Sequence, residues 1–287
     1  MVKNETFIIK ASGEKELFSE EKLRRSLRRS GAPANVVDVV MDRIRDELAD
    51  GMTTSNIYRR AFDILKRNKK TIAMRYSLRQ AVMQMGPTGF PFEKLVGEIL
   101  KKQGYDVKVG VVMAGHCVSH EIDVLAKKQR KHIIVEAKFH NQLGIKTDLK
   151  VALYVQARFE DIRKKREEKY VKQEREHEAW LITNTKLTAE AVRYSKCMGM
   201  RAIGWNYPRW GNLQDLIASS DVHPLTCLTT LSTGHKRQLF EKGVVLCREL
   251  LEDKSALKTL GITDKKIRDV LEEIKLICRD VIGLDAA

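Results

Sequence analysis

Apolar residues recur along this chain with two periods. Between positions 20 and 83 they fall three and four apart. Leu23 and Leu27 share one face, and runs at 36–48, 53–65 and 71–83 continue the pattern, which predicts a bundle of four helices. Ser19 followed by Glu20 and Glu21 is a hydroxyl cap with early acidic residues. Asp50-Gly51 stops the second helix and Thr53-Thr54-Ser55 opens the third. Ahead of the bundle, 6–10 reads as a strand, Ser12-Gly13 as a turn and 16–18 as a short returning strand.

Two glycines and two prolines between Met85 and Pro91 break the helical pattern and mark a boundary. A helix follows from Phe92, with Leu95, Val96, Ile99 and Leu100 on one face and Gly104-Tyr105 at its close. Positions 107–113 alternate and predict a strand. The β-branched runs around Ile122-Val124 and Ile133-Val135 predict a hairpin of buried strands, with the basic segment 127–131 as its turn. A long helix is expected from 147 to about 176, apolar in its first half and of mixed charge in its second. Then come a strand at 179–183, a helix at 187–198, a strand at 200–205 and a helix at 212–219. Strand, helix, strand implies parallel pairing in a mixed sheet with helices on its faces. Asp221 to Pro224 interrupts the pattern, and the remainder is helical. The expected organisation is α/β, of the α+β multidomain kind. Segment 1–85 is mostly helical, 86–220 holds a mixed sheet flanked by helices, and 221–287 is a helical tail.

Charge adds a partner class. The 287 residues carry a net charge of +15, which favours a polyanion such as nucleic acid, with solubility as the plainer explanation. Five cysteines, Cys117, Cys197, Cys227, Cys247 and Cys278, form no C-x-x-C pair and are odd in number. Reduced thiols in a cytoplasm are expected. The first residues lack the apolar stretch of a signal peptide, and no apolar run approaches the ~18 residues of a membrane span.

Candidate chemistry concentrates between His120 and Lys138. Side chains two apart on a strand share a face, so Glu136 and Lys138 project together, and a partner strand can bring Asp123 beside them. Two adjacent carboxylates repel unless a cation lies between them, and oxygen donors suit Mg²⁺ or Mn²⁺. A lysine beside them can orient water or hold a phosphate. E-x-K alone is a weak signal, because acidic residues at strand ends are common. The hairpin, however, carries D and then E-x-K after a helix in a basic chain. It resembles the PD-(D/E)xK nucleases, most closely the Mrr-like type IV restriction endonucleases. The resemblance implies a restriction-endonuclease-like sheet, with Asp123, Glu136 and the Ala137 carbonyl holding the metal and Lys138 completing the catalytic set. His120-Glu121 replaces the glycine-rich lead-in usual in that family. Accessory candidates are Glu93, His120, Glu121, Tyr154 and Arg158. Glu93 also suits a helix N-terminus; Tyr154 and Arg158, one turn apart, can point back at the phosphates, with core packing or a surface ion pair as equally good explanations. His116, Cys117 and His120 lack the fourth ligand of a structural zinc site.

The first segment resembles the ATP-cone, a nucleotide-binding regulatory domain. Ile8, Lys10, Gly13, Glu16, Phe18, Lys22 and Leu23 match its opening signature; Asp50-Gly51, Thr53-Thr54-Ser55, Ile57, Ala73 and Tyr76 match the later one. The resemblance implies ATP or dATP as regulatory ligand, with Lys10 and Lys22 at phosphates and Glu16 and Thr54 at the base or ribose. Ala11 stands where that family usually has an arginine. No P-loop motif is present, so ATP hydrolysis is not expected. In the tail, Leu257, Leu260, Gly261, Ile262, Ile267 and Val270 resemble a helix-hairpin-helix element, with a degenerate copy upstream. Such elements grip DNA phosphates, and a helical cap or dimer contact is the alternative. The expected protein is a metal-dependent DNA endonuclease of restriction or repair type, homo-oligomeric and regulated by nucleotide. Its rivals are a nucleotide-responsive DNA-binding regulator or adaptor without cleavage, and a junction resolvase or RNA nuclease on the same fold.

Overall fold

The computed structural model describes residues 6–142, 144–169 and 176–279. The first segment opens with β1 (Phe7–Ile9) and β2 (Lys15–Leu17), an antiparallel hairpin. Helices α1 (Glu20–Arg29) and α2 (Ala34–Glu47) follow, then β3 (Met52–Thr53) and α3 (Thr54–Asn68). Ser19 and Thr53 cap α1 and α3 by accepting the backbone N–H groups of Lys22 and Asn56. β3 is an unexpected strand, pairing parallel with β1 to complete a three-stranded sheet. The single helix expected at 71–83 is two, α4 (Lys70–Tyr76) and α5 (Leu78–Met83). They part at Ser77, whose hydroxyl donates to the Met74 carbonyl and competes with the helical ladder.

The middle segment is built on α6 (Phe90–Lys102), β4 (Asp106–Ala114), β5 (Ser119–Lys128), β6 (Lys131–Lys138) and β7 (Lys146–Thr147). It continues through α7 (Leu149–Lys169), β8 (Glu176–Thr183), β9 (Lys186–Leu187), α8 (Ala189–Cys197), β10 (Arg201–Ile203) and α9 (Leu213–Ser220). The main sheet has the order β10-β8-β6-β5-β4. β4, β5 and β6 are antiparallel, whereas β8 runs parallel to β6 and β10 parallel to β8. The mixed sheet flanked by helices is therefore as expected, with two changes. β8 begins at Glu176, inside the stretch expected to end the long helix; positions 170–175 of that stretch lie outside the described residues. A small parallel ribbon, β7 with β9, stands apart from the main sheet.

Each face of the sheet buries its own apolar layer. Leu125, Ile134 and Leu181 meet Val155, Phe159 and Ile162 of α7. Val124, Ile133, Val135 and Trp180 share the other layer with Phe92, Leu95, Val96 and Ile99 of α6. That second layer extends far beyond the sheet. It includes Met74, Leu78 and Val82 of α4 and α5, and Leu239, Leu246, Leu257, Val270 and Ile274 of the tail. The tail comprises a 3-10 turn (Leu225–Cys227), α10 (Thr233–Glu241), α11 (Glu249–Glu252), α12 (Ser255–Lys258) and α13 (Asp264–Arg279). It docks on α6 through Arg248–Glu98 (3.1 Å) and Lys94–Glu249 (2.7 Å). A second apolar core, of Leu27, Val37, Met41, Ala61 and Leu65, belongs to the first segment alone. Among the described residues, no helix is long and apolar enough to cross a membrane.

Gly97 sets how closely α6 lies on the sheet. A Cβ there would come within 3.0 Å of Val109 Cγ2 and 3.4 Å of Val107 Cγ1. Gly97→Val forces the helix off β4, and is expected to cost about 1–3 kcal/mol as an overpacked core does. The check is the urea midpoint, which falls at unchanged slope.

Candidate functional site

The site lies where the central ladders part. β5 pairs with β6 from Lys128–Lys131 up to Val124–Val135. The next residues, Asp123 and Glu136, are not paired. Instead the Asp123 Oδ2 accepts the Ala137 backbone N–H at 2.7 Å. A carboxylate thus replaces a main-chain carbonyl and holds the two strands slightly apart. On the other side of Asp123, the β4–β5 register is continuous except opposite Gly110, which has φ +62°. Ile122 and Val124, two apart, pack in different layers. The strand turns over at Asp123, and Gly110 takes the left-handed backbone that this requires. A glycine within a strand pattern was the sequence signal for this feature.

Charge in the fork is crowded. Asp123, Glu136 and Lys138 are all half-buried. Burial pushes the Asp123 carboxyl above its ordinary range, opposed by the Ala137 N–H and by Arg158. Glu136 is also raised, by burial and then by Asp123, with Arg158 and Lys138 pulling the other way. Glu93, in the first turn of α6, is pushed up to about 7 by burial and then by Asp123, Glu121 and Glu136. Four carboxylates therefore act on one another here, with Lys138 and Arg158 as the neighbouring cations.

Arg158 belongs to α7. Its Nη1 donates to Glu136 Oε2 at 2.7 Å, and its guanidinium lies over the Tyr154 ring, 4.3 Å from the centroid. One turn of helix separates the two residues, so the aromatic face orients the fork of donors. His120 stands elsewhere. Its Nε2 hydrogen-bonds Asp161 Oδ2 at 2.7 Å, and Asp161 also accepts the Cys117 N–H. That carboxylate is held well below the usual range by His120 first and then by Cys117. His120 thus fastens the β4–β5 turn to α7.

In the first segment, Lys10 and Lys22 both reach Glu16 Oε2, at 2.9 and 3.1 Å. Thr54 lines the same depression as Lys10 and Glu16. Lys10 is raised, first by its bond to Glu16, and Glu16 is lowered, first by Lys10. All four sequence candidates thus gather in one region, with the lysines engaged by carboxylate.

Donor chemistry in the fork fits a hard divalent cation. Beyond the Ala137 N–H and Arg158, the described residues leave Asp123 Oδ1 and Glu136 Oε1 without a hydrogen-bond donor. Mg²⁺ keeps several waters and needs only one or two protein carboxylates. No cluster of three or more His, Cys, Asp or Glu side chains placed for a metal occurs among the described residues.

The Arg158–Glu136 pair is open to a direct test. Removing one partner of a buried pair strands the other charge, at a cost of about 3–5 kcal/mol. The side chains are 12% and 14% exposed, so Arg158→Leu is expected near the lower end. Without Arg158, the folded chain holds the Glu136 proton still more tightly than the unfolded chain does. Stability then falls as pH rises through the carboxylate range and above it. Urea titrations at pH 5 and pH 8 should show the larger deficit at pH 8.

Comparison with known proteins gives three family matches. Residues 6–82 match the ATP cone domain, 84–203 the restriction endonuclease domain (Mrr_cat) and 223–278 the AF1548-like C-terminal domain. An uncharacterized protein of Archaeoglobus fulgidus is 32% identical over 186 residues, covering 63% of this chain and 99% of the relative. The crystal structure of AF1548, a protein of unknown function, matches with a TM-score of 0.54 and 31% identity, covering 67% of this chain and all 100% of that one. The chain belongs to the AF1548-like family, with an Mrr-like restriction endonuclease domain of the PD-(D/E)xK superfamily preceded by an ATP-cone.

Proposed function

We propose that the protein is a nucleotide-regulated, divalent-metal-dependent DNA endonuclease. The observation that carries this reading is the convergence of Asp123, Glu136 and Glu93 beside Lys138, at the point where β5 and β6 separate. Asp123, Glu136 and the Ala137 carbonyl are the donors that would hold Mg²⁺ or Mn²⁺. When bound, such a cation lowers the pKa of coordinated water and neutralises charge building on a phosphate.

The chain's own residues have distinct tasks. Lys138 presents a point charge to the scissile phosphate and orients attacking water. Arg158, fixed over Tyr154, holds the Glu136 carboxylate in place and offsets part of the negative charge. Glu93 is pushed up to about 7 and is poised near neutrality, as a proton-transfer group requires. DNA is the favoured substrate because the chain carries +15. The ATP-cone supplies the regulatory site, and ATP or dATP is its ligand.

Supercoiled plasmid with Mg²⁺, with and without ATP, tests the reading. Wild-type protein should nick or linearise it, and ATP should change the rate. Asp123→Ala and Lys138→Ala are each expected to lower the rate by about 10²–10³-fold, the scale for losing one preorganised electrostatic contact. Cleavage by Asp123→Ala at the wild-type rate would remove the site assignment.

A further inference from the structure

A cavity of about 690 Å³ lies between the ATP-cone and the nuclease domain. Lys10, Tyr58, Tyr76 and Arg79 line it from the first. Lys146, Lys186 and Trp205 line it from the second. The regulatory depression is therefore walled on one side by the catalytic domain.

Charge in this cavity is one-sided. Its two acidic residues, Glu14 and Glu16, are both engaged by Lys10, and Glu16 also by Lys22. Arg79, Lys146 and Lys186 have no acidic partner among the described residues, and the Arg79 Nε is shut from solvent with no acceptor. The β7–β9 ribbon sets Lys146 directly opposite Lys186. Like charges in register destabilise a strand pair, and a guanidinium N–H shut from water without an acceptor is costly. Lys186 is held below the usual lysine range by burial first, then by Arg79, Lys22 and Lys146, with Glu16 opposing. A multivalent anion would answer all three cations together. Tyr58 and Tyr76 lie 5.2 Å apart and nearly parallel (11°), and with Trp205 they give the same cavity aromatic walls. Polyanion and aromatic ring together describe a nucleoside triphosphate.

We infer that the nuclease domain completes the nucleotide site: Lys146 and Lys186, with Arg79, grip the polyphosphate of a nucleoside triphosphate held by the ATP-cone. This rests on the nucleotide-binding reading above and adds the second half of the site. It also supplies a route of regulation. Phe139 to Gln142 leave the catalytic strand immediately after Lys138, and Gly144 and Ile145 lead into β7 at Lys146. At Gly144 this connection passes close to the β1–β2 turn, where an added Cβ would stand 3.3 Å from the Ser12 nitrogen. Asn184 ties its start, accepting the His140 N–H at 2.9 Å and donating to the His140 carbonyl at 2.7 Å. Phosphates on Lys146 pin this segment, so nucleotide and catalytic strand are coupled through it, and the coupling acts both ways.

Calorimetry on the full chain, with ATP, dATP and inorganic tripolyphosphate as probes, tests the inference. Charge-assisted contacts of this kind are worth roughly tenfold or more each in affinity. The double variant Lys146→Gln/Lys186→Gln is therefore expected to bind ATP at least about 100-fold more weakly, while Lys186→Arg retains most of the affinity. Tripolyphosphate should compete with ATP on the wild type. Hydrogen exchange of wild-type Gly144 to Thr147 should slow when ATP is added, a readout that needs no variant to fold. ATP binding of wild-type strength in the double variant, with protection confined to the ATP-cone, overturns this inference and leaves the nucleotide reading standing. Absence of binding by all three probes to the wild type overturns both.

Discussion

Everything at the candidate site depends on one hydrogen bond, from the Ala137 N–H to Asp123 Oδ2. It substitutes a side-chain oxygen for the main-chain acceptor that a regular antiparallel ladder would supply. The ladder stops there, the strands diverge, and the space between them is lined by carboxylate rather than by backbone. Gly110 makes this possible from the opposite side by taking φ +62°, which a side chain would resist. The sheet is thus regular where it carries the core and interrupted where it carries chemistry.

The interruption gathers like charges. Burial raises the proton affinity of Asp123, Glu136 and Glu93, and the neighbouring carboxylates add to the effect. Such a group is unfavourable by itself and is tolerated only because cations adjoin it. Arg158, braced on Tyr154, and Lys138 supply part of that balance. The remainder is what a divalent ion would provide. Imbalance of the opposite sign occurs across the cavity beneath the ATP-cone, which Arg79, Lys146 and Lys186 line. The two sites are complementary in sign and are joined by the short segment that follows Lys138.

Packing explains why such a join can transmit force. The apolar layer under the sheet is continuous with α4 and α5 and with the tail. Thr226 donates to the Ala81 carbonyl at 2.7 Å, tying the tail to α5. Parts far apart in sequence therefore share one close-packed interior, which passes displacement on rather than absorbing it. The ATP-cone keeps a separate small core of its own, so its β1–β2 face can respond to a ligand without unpacking the sheet.

Much of this was legible in the chain itself. Periodicity located nearly every long helix and the strands of the main sheet, because burial imposes spacing on apolar residues. The motif residues Asp123, Glu136 and Lys138 were visible as types in order. Two-residue strands such as β3, β7 and β9 were not, since they are too short to show a period and exist only through their partners. Sequence also left the role of Arg158 open between a phosphate contact, packing and a surface ion pair. The fold places α7 against the sheet, with the Arg158 Nη1 2.7 Å from Glu136 Oε2. Neither could sequence reveal that Lys146 and Lys186 face one another, or that Arg79 from another domain joins them, for these lie far apart along the chain. The sequence alone determined which elements form and which chemical groups each carries, because both are local. Only the tertiary structure decided which groups meet, because that depends on strand order and on how closely the layers pack.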